Sequence, residues 1–366
     1  MLFAVDFLNR MEAKYPGVLS EIQESKFPPE LILRQRMIPV ALFSGMIALS
    51  HWRKDKVIYN FNQQIAVEIL EQTDTPDKPL PLVCMRQLPY SCIAIHVSPI
   101  AIVDPSTQAT LESYSGNAFL WIEGEYLCSA WQTHDDAYLA AHIKMKDGLT
   151  VDDMFVELVE SNLSLFSTDE ITEIKKLLGV KSFSELQFVS HDGLRRRFGS
   201  RFMQIMNAFR IASVQEILLQ RALRVILYLG CENADIESAE EKLKSGAWSS
   251  FIGGTPRYVK KTERKAALNE IKKYHVMDVG YRIAGNYTRS FSSTASKVTI
   301  GTGRTQGYGK RRAHFHHFWI GPKNGIIASD IMNPQEGERG LRLRWVASTE
   351  IHPELRDEDA TLINVE

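Results

Sequence analysis

Two stretches near the end of the chain gather residue types that bind charge or move protons: Arg311-Arg312-Ala313-His314-Phe315-His316-His317-Phe318-Trp319 and Leu341-Arg342-Leu343-Arg344-Trp345-Val346. Both have the composition of β-strands, whose side chains alternate between two faces. In the second, Leu341, Leu343 and Trp345 share a core-facing side and Arg342 and Arg344 take the other. In the first, Ala313, Phe315, His317 and Trp319 share one side, with Arg312, His314, His316 and Phe318 opposite, so the alternation is imperfect at His317 and Phe318. If the two strands pair with their apolar faces together, Arg312, His314, His316, Arg342 and Arg344 form one patch. Arginine forks hold phosphate or carboxylate in bidentate geometry. The candidate peptide- or phosphate-binding residues are therefore Arg311, Arg312, His314, His316, Trp319, Arg342, Arg344 and Trp345.

Histidine titrates near neutrality, which opens an enzymatic alternative: a metal-independent ribonuclease with His314 and His316 as acid and base and the arginines on the phosphate. No carboxylate or nucleophile lies beside the patch in sequence to complete such a site, so the pattern favours a binding module over an enzyme. A metal would need a third ligand from a distant residue such as His134, His191 or His352. No metal and no cofactor are expected. An amphipathic strand with a polar outer face accounts for the alternation alone. It does not account for several arginines on one face, because like charges placed opposite one another repel.

Other common chemistries are excluded by spacing. Gly301, Gly303, Gly307 and Gly309 cluster, but Arg311 stands where a P-loop needs a hydroxyl after Lys310. No G-x-S-x-G, H-E-x-x-H or helix-opening G-x-G-x-x-G occurs. The cysteines Cys84, Cys92, Cys128 and Cys231 show neither C-x-x-C nor zinc spacing and read as buried thiols of a reducing compartment. Asp6, Arg10 and Glu12 interrupt the N-terminus where a signal peptide needs an apolar run, and no stretch has the length of a membrane span. The expectation is a soluble, intracellular protein.

The 366 residues, 44% hydrophobic and 24% charged, suffice for a full core. The net charge of −1 hides a split. Fifteen basic and three acidic residues lie between Arg257 and Gly325, a segment of +12 in a chain whose remainder is −13. Such asymmetry suits a late segment that meets an anionic partner.

The elements that must carry these residues follow from periodicity. Helical spacing covers Leu2 to Ile22, Glu30 to Trp52 and Asn62 to Glu71, and two prolines then make a loop. Leu82–Met85, Cys92–Val97 and Ala118–Ile122 read as strands, the last joined through Glu123-Gly124-Glu125 to Tyr126–Gln132, and Tyr138–Met145 adds another. Thr150 with Asp152 and Asp153 opens a helix reaching Leu165. Phe202 to Leu229 is the strongest helix, with stripes Phe202, Ile205, Met206, Phe209, Ala212 and Ile211, Val214, Leu218 that imply burial on two sides. Glu237 to Lys244 and Thr262 to Lys273 are more polar helices, and Ser290 to Gly309 is a loop. The fold class is α+β: N-terminal helices with a small antiparallel sheet (1–148), a helical middle (149–275) and a basic, β-rich C-terminal part (276–366).

Arg311 to Trp319, Arg342-Leu343-Arg344-Trp345 and Val279-Gly280-Tyr281-Arg282-Ile283-Ala284-Gly285 together resemble the C-terminal part of a type V-A anti-CRISPR family, the one that blocks biogenesis of the effector nuclease. His51-Trp52-Arg53, Ile58-Tyr59, Asp74-Thr75-Pro76, Leu88-Pro89, Cys92-Ile93-Ala94-Ile95 and Ala118-Phe119-Leu120-Trp121 fall in a similar order upstream. The likeness runs patchily from about residue 50 to 346. A longer link over Gly325–Gly340, the third histidine His317 and the first ~45 residues depart from it. The resemblance implies a cytoplasmic protein of the bacterial host that recognises the nascent N-terminal segment of the effector nuclease and triggers loss of its mRNA. A peptide reader needs aromatic walls and polar anchors, which Trp52, Arg53, Trp121 and Trp131 supply as a candidate groove. The +12 segment would then touch ribosomal or messenger RNA.

Overall fold

The computed structural model describes residues 2–70, 86, 88–97, 100–103, 110–146, 150–178, 192–252, 257–284, 309–311, 314–326, 328, 334–346 and 349–351. The expected strand Leu82–Met85 and nearly all of the Ser290 to Gly309 loop lie outside them. Eight strands form the main sheet: β1 (Val57–Phe61), β2 (Cys92–His96), β3 (Ile100–Val103), β4 (Thr110–Glu123), β5 (Tyr126–Thr133), β6 (Tyr138–Lys144), β7 (Ile236–Ser238) and β8 (His275–Val279). Their order is β6-β5-β4-β2-β1-β8-β7, with β3 beside β4. The class is α+β, as expected, but the sheet is neither small nor wholly antiparallel. β1 runs parallel to both β2 and β8, with Val57 opposite Ile93 on one side and His275 on the other. The sheet thus draws strands from segments 57–144 and 236–279.

Every residue of β1 is buried, because helices cover both faces. Val57, Tyr59 and Phe61 join one core with Trp131, Phe209 and Tyr228. Ile58 joins the other with Phe7, Met46, Trp52 and Phe119, the alternation of a pleated strand. The second core is roofed by α1 (Phe3–Lys14), α2 (Val18–Glu24), α3 (Pro29–Gln35) and α4 (Phe43–Trp52). Each of the first two helical periods is therefore two helices. Gly17, at φ +77°, separates α1 from α2, and Pro39 lies between α3 and α4, where it cannot donate a helical hydrogen bond.

The first core is covered by α5 (Gln63–Leu70), α6 (Met154–Asn162), α7 (Thr168–Leu178), α8 (Asp192–Phe198) and the long α9 (Phe202–Leu229), whose ends match the sequence reading. Thr150 and Asp153 form a capping box ahead of α6. α10 (Ala239–Ser245) and α11 (Lys261–Ile271) lead into β8. Among the described residues no helix is long and apolar enough to cross a membrane. Cys92, Cys128 and Cys231 are buried free thiols, and burial pushes the latter two up to about 12.

Candidate functional site

The two C-terminal strands pair as expected. β10 (His314–Ile320) and β11 (Gly340–Val346) are antiparallel, with His316 opposite Arg344, Phe318 opposite Arg342, Trp319 opposite Leu341 and Phe315 opposite Trp345. Leu341 and Trp345 are buried, whereas Arg342 and Arg344 are exposed, so the phase of this strand agrees with the alternation in its sequence. Trp319 is only half-buried, and the Arg339 guanidinium lies 4.7 Å from its ring centre. Arg311 belongs to a separate pair, β9 (Gly309–Arg311) with β12 (Thr349–Ile351), where it faces Thr349. Arg312 lies outside the described residues, and for His314 and His316 the description is that of the strand positions.

Trp345 makes the hairpin's most extensive described contact with the body, beside the buried Leu341. The Trp345 ring meets Tyr228 of α9 edge-on at 5.6 Å. Its backbone N–H donates to Asn233 Oδ1 at 2.9 Å, and Asn233 Nδ2 donates back to the Trp345 carbonyl at 2.8 Å. An asparagine amide thus completes both backbone bonds of a strand residue, as a neighbouring strand would. Arg342 reaches Glu232 at 3.2 Å, with both side chains about half exposed.

The four residues expected to wall a peptide groove are not brought together, and that expectation is corrected. Trp52 and Trp131 are fully buried in cores on opposite faces of the sheet. Trp52 donates from Nε1 to the Val57 carbonyl at 2.7 Å. Trp121, 4% exposed, stacks on His51 at 5.9 Å, and burial lowers the His51 pKa against the opposing pull of Glu123. Arg53 is half-buried and pairs with Glu12 at 3.4 Å. These side chains hold the helical layer on the sheet.

The motif Val279 to Ala284 forms a polar node that the sequence reading did not assign. Gly280 has φ +76°, and a Cβ there would come within 2.8 Å of Ile65, so the turn requires glycine. The buried Asp235 carboxylate accepts from the Arg282 and Ile283 backbone N–H groups at 2.8 and 2.9 Å, capping the helical turn 281–284. Asp278, also buried, accepts from the Ser250 hydroxyl and, at 3.2 Å, from its backbone N–H, and pairs with Lys242 at 3.1 Å. Burial and the nearby Asp278 charge push the Tyr281 hydroxyl up to about 12.

Asp278 also begins a row across the sheet. The register sets Asp278 beside Asn60, Asn60 beside His96 and His96 beside Asn117. Asn117 Nδ2 donates to Gln132 Oε1 at 2.6 Å, and Gln132 Nε2 donates to Asp136 at 2.6 Å. Because a carboxylate only accepts, Asp136 fixes the direction of the chain, and Asn117 Oδ1 must accept from His96 Nδ1, 2.7 Å away. The sequence signal for the node was a polar residue set among apolar ones, Asn60 in β1 and Asp278 in β8.

The family model for AcrVA2-like proteins, described as the anti-CRISPR type V subtype A2 family, matches residues 59–352. The chain belongs to this anti-CRISPR family. The AcrVA2-like span begins within β1 and takes in the Gly280 turn and the β10–β11 hairpin, in agreement with the resemblance carried by 279–285 and 311–319; helices α1 to α4 precede it. Among solved structures, the crystal structure of AcrVA2 aligns with 96% of this chain and 100% of its own, at 13% identity and a TM-score of 0.48. No curated protein matches the chain.

Proposed function

We propose that this AcrVA2-like chain lowers the amount of a type V-A CRISPR effector nuclease by reading the nuclease's nascent N-terminal segment and triggering degradation of its mRNA. Membership of the anti-CRISPR family over residues 59–352 carries the reading. The hairpin supports a role in binding: Arg342 and Arg344 are exposed on a strand whose Leu341 and Trp345 are buried. Arg344 is exposed and Arg342, paired with Glu232, is about half exposed, so a carboxylate or phosphate partner can reach both. The reading is of a cytoplasmic binding module that acts through host machinery, with ribosome or mRNA as further contacts.

The test separates peptide from nucleotide. The first codons of the effector gene are recoded synonymously in one version of the gene and changed in amino-acid sequence in another, and effector mRNA is measured with and without this protein. Synonymous recoding should leave the fall in mRNA intact, and the altered peptide should abolish it. Loss of the effect on synonymous recoding alone would overturn peptide reading.

A further inference from the structure

An arginine-rich surface far along the chain from the hairpin meets carboxylates of the protein itself on one side and, among the described residues, none on the other. α8 carries Arg195, Arg196 and Arg197, and Arg201 follows just before α9. α7 is an acidic amphipathic helix, with Asp169, Glu170 and Glu173 beside the buried Ile174. It packs against this stretch: Glu173 holds Arg197 at 2.7 Å and Glu170 holds Arg201 at 2.6 Å. Arg201 also lies 3.9 Å from the Phe166 ring centre.

Arg195 points away from that contact, since residues 195 and 197 sit about 200° apart around a helix. Its guanidinium lies 5.2 Å from the ring centre of Phe202, at the start of α9. On α9, Met203, Asn207, Arg210 and Ile211 follow at intervals of four, three and one, which places them on one face. All four are exposed, Met203 at 70% and Ile211 at 38%. Ile211 opens the second apolar stripe of this helix, whose later members Val214 and Leu218 are buried, so the stripe is covered only in its C-terminal part. Among the described residues Arg195, Arg196 and Arg210 have no carboxylate partner.

The geometry points to this open face as a docking site for an acidic amphipathic helix of another protein. The chain already shows the chemistry, because α7 meets the neighbouring Arg197 and Arg201 with Glu173 and Glu170, beside the buried Ile174. Exposed methionine and isoleucine among unpaired arginines give the composition of a protein interface. Nucleic acid fits less well, because bases stack on aromatic rings and the exposed apolar residues here are aliphatic. The site is distinct from the hairpin, and its test does not depend on the effect on mRNA.

The probe is a fluorescein-labelled helical peptide of about 20 residues, with leucines along one face and glutamates flanking it. Binding to the full chain is followed by anisotropy. Affinity should fall as salt rises, because the flanking contacts are charged. Changing Arg195, Arg196 and Arg210 together to Glu should weaken binding about tenfold or more. The charge-matched control, Lys14, Lys26 and Arg34 to Glu on the far helical layer, should not. Met203→Ser with Ile211→Ser keeps every charge and should also weaken binding, which covers the case in which the triple variant fails to fold. No binding by the wild type, or binding unchanged in both site variants, would overturn the proposal. So would a poly(U) 20-mer that displaces the peptide and binds more tightly, which would make the face a nucleic-acid surface.

Discussion

The C-terminal hairpin and the Gly280 turn place charged side chains in opposite ways. In the turn, Asp235, Asp278 and Lys242 are drawn into the protein, and each charge meets an opposite charge or backbone donors. In the hairpin, Leu341 and Trp345 go inside while Arg342 and Arg344 stay in solvent. A buried charge that loses its partner is costly, whereas an exposed one contributes little to stability. The turn therefore fixes geometry, whereas the hairpin arginines contribute little to it.

Substitutions can break that contrast. The largest effect is expected from Asp278→Ala, which strips a carboxylate from Ser250 and from Lys242. A loss of about 3–5 kcal/mol in a denaturant titration is the expected outcome, and an unchanged midpoint would remove the turn from the framework. Trp345→Ala should cost about 3–5 kcal/mol as well, and Trp319→Ala clearly less, because its ring is half-buried. Equal losses in the two tryptophan variants would contradict the deeper anchoring of Trp345. Asn233→Ala, which leaves the Trp345 backbone N–H and carbonyl unmatched, should cost about 1–3 kcal/mol.

Arg342→Ala with Arg344→Ala should shift stability by no more than about 0.5 kcal/mol, while impairing the fall in effector mRNA. A large drop in melting temperature would mean that these arginines support the fold. The smallest effect at neutral pH belongs to Tyr281→Phe, which gives up a long bond from Asn60 at 3.4 Å. Its signature is alkaline. The folded-state pKa is raised from 10.0 to about 12, so the unfolded chain releases the proton first and stability falls as pH rises across that window. The variant should lose part of this fall, read from unfolding midpoints measured across the same range.

Much of this architecture was legible in the sequence where period and punctuation agree. α9 runs from Phe202 to Leu229 because one apolar periodicity persists over that span, and β4 and β5 turn at Gly124 because Glu-Gly-Glu interrupts two apolar strands. The inward phase of Leu341 and Trp345 followed from strict alternation. β1 and β8 were not legible. Val57–Phe61 is buried on both faces and shows no alternation, and His275–Val279 is short and follows a helix. The polar node was hidden for a related reason, since Asp235, Asp278 and Ser250 are remote in sequence and meet only through that sheet. The aromatic residues Trp52, Trp121 and Trp131 misled because their size suits a groove wall and a core equally.

The placement of β8 next to β1 also bears on the order in which the molecule is made. Residues 57 and 275 pair directly within the sheet, so an emerging chain carries β1 with a bare edge until most of its length has been synthesised. Unpaired edges invite wrong partners, and pairing across so long a loop is slow. Chains that stop short of residue 279 should therefore collect as aggregates, and helper proteins that shield strand edges should raise the yield of the full-length form.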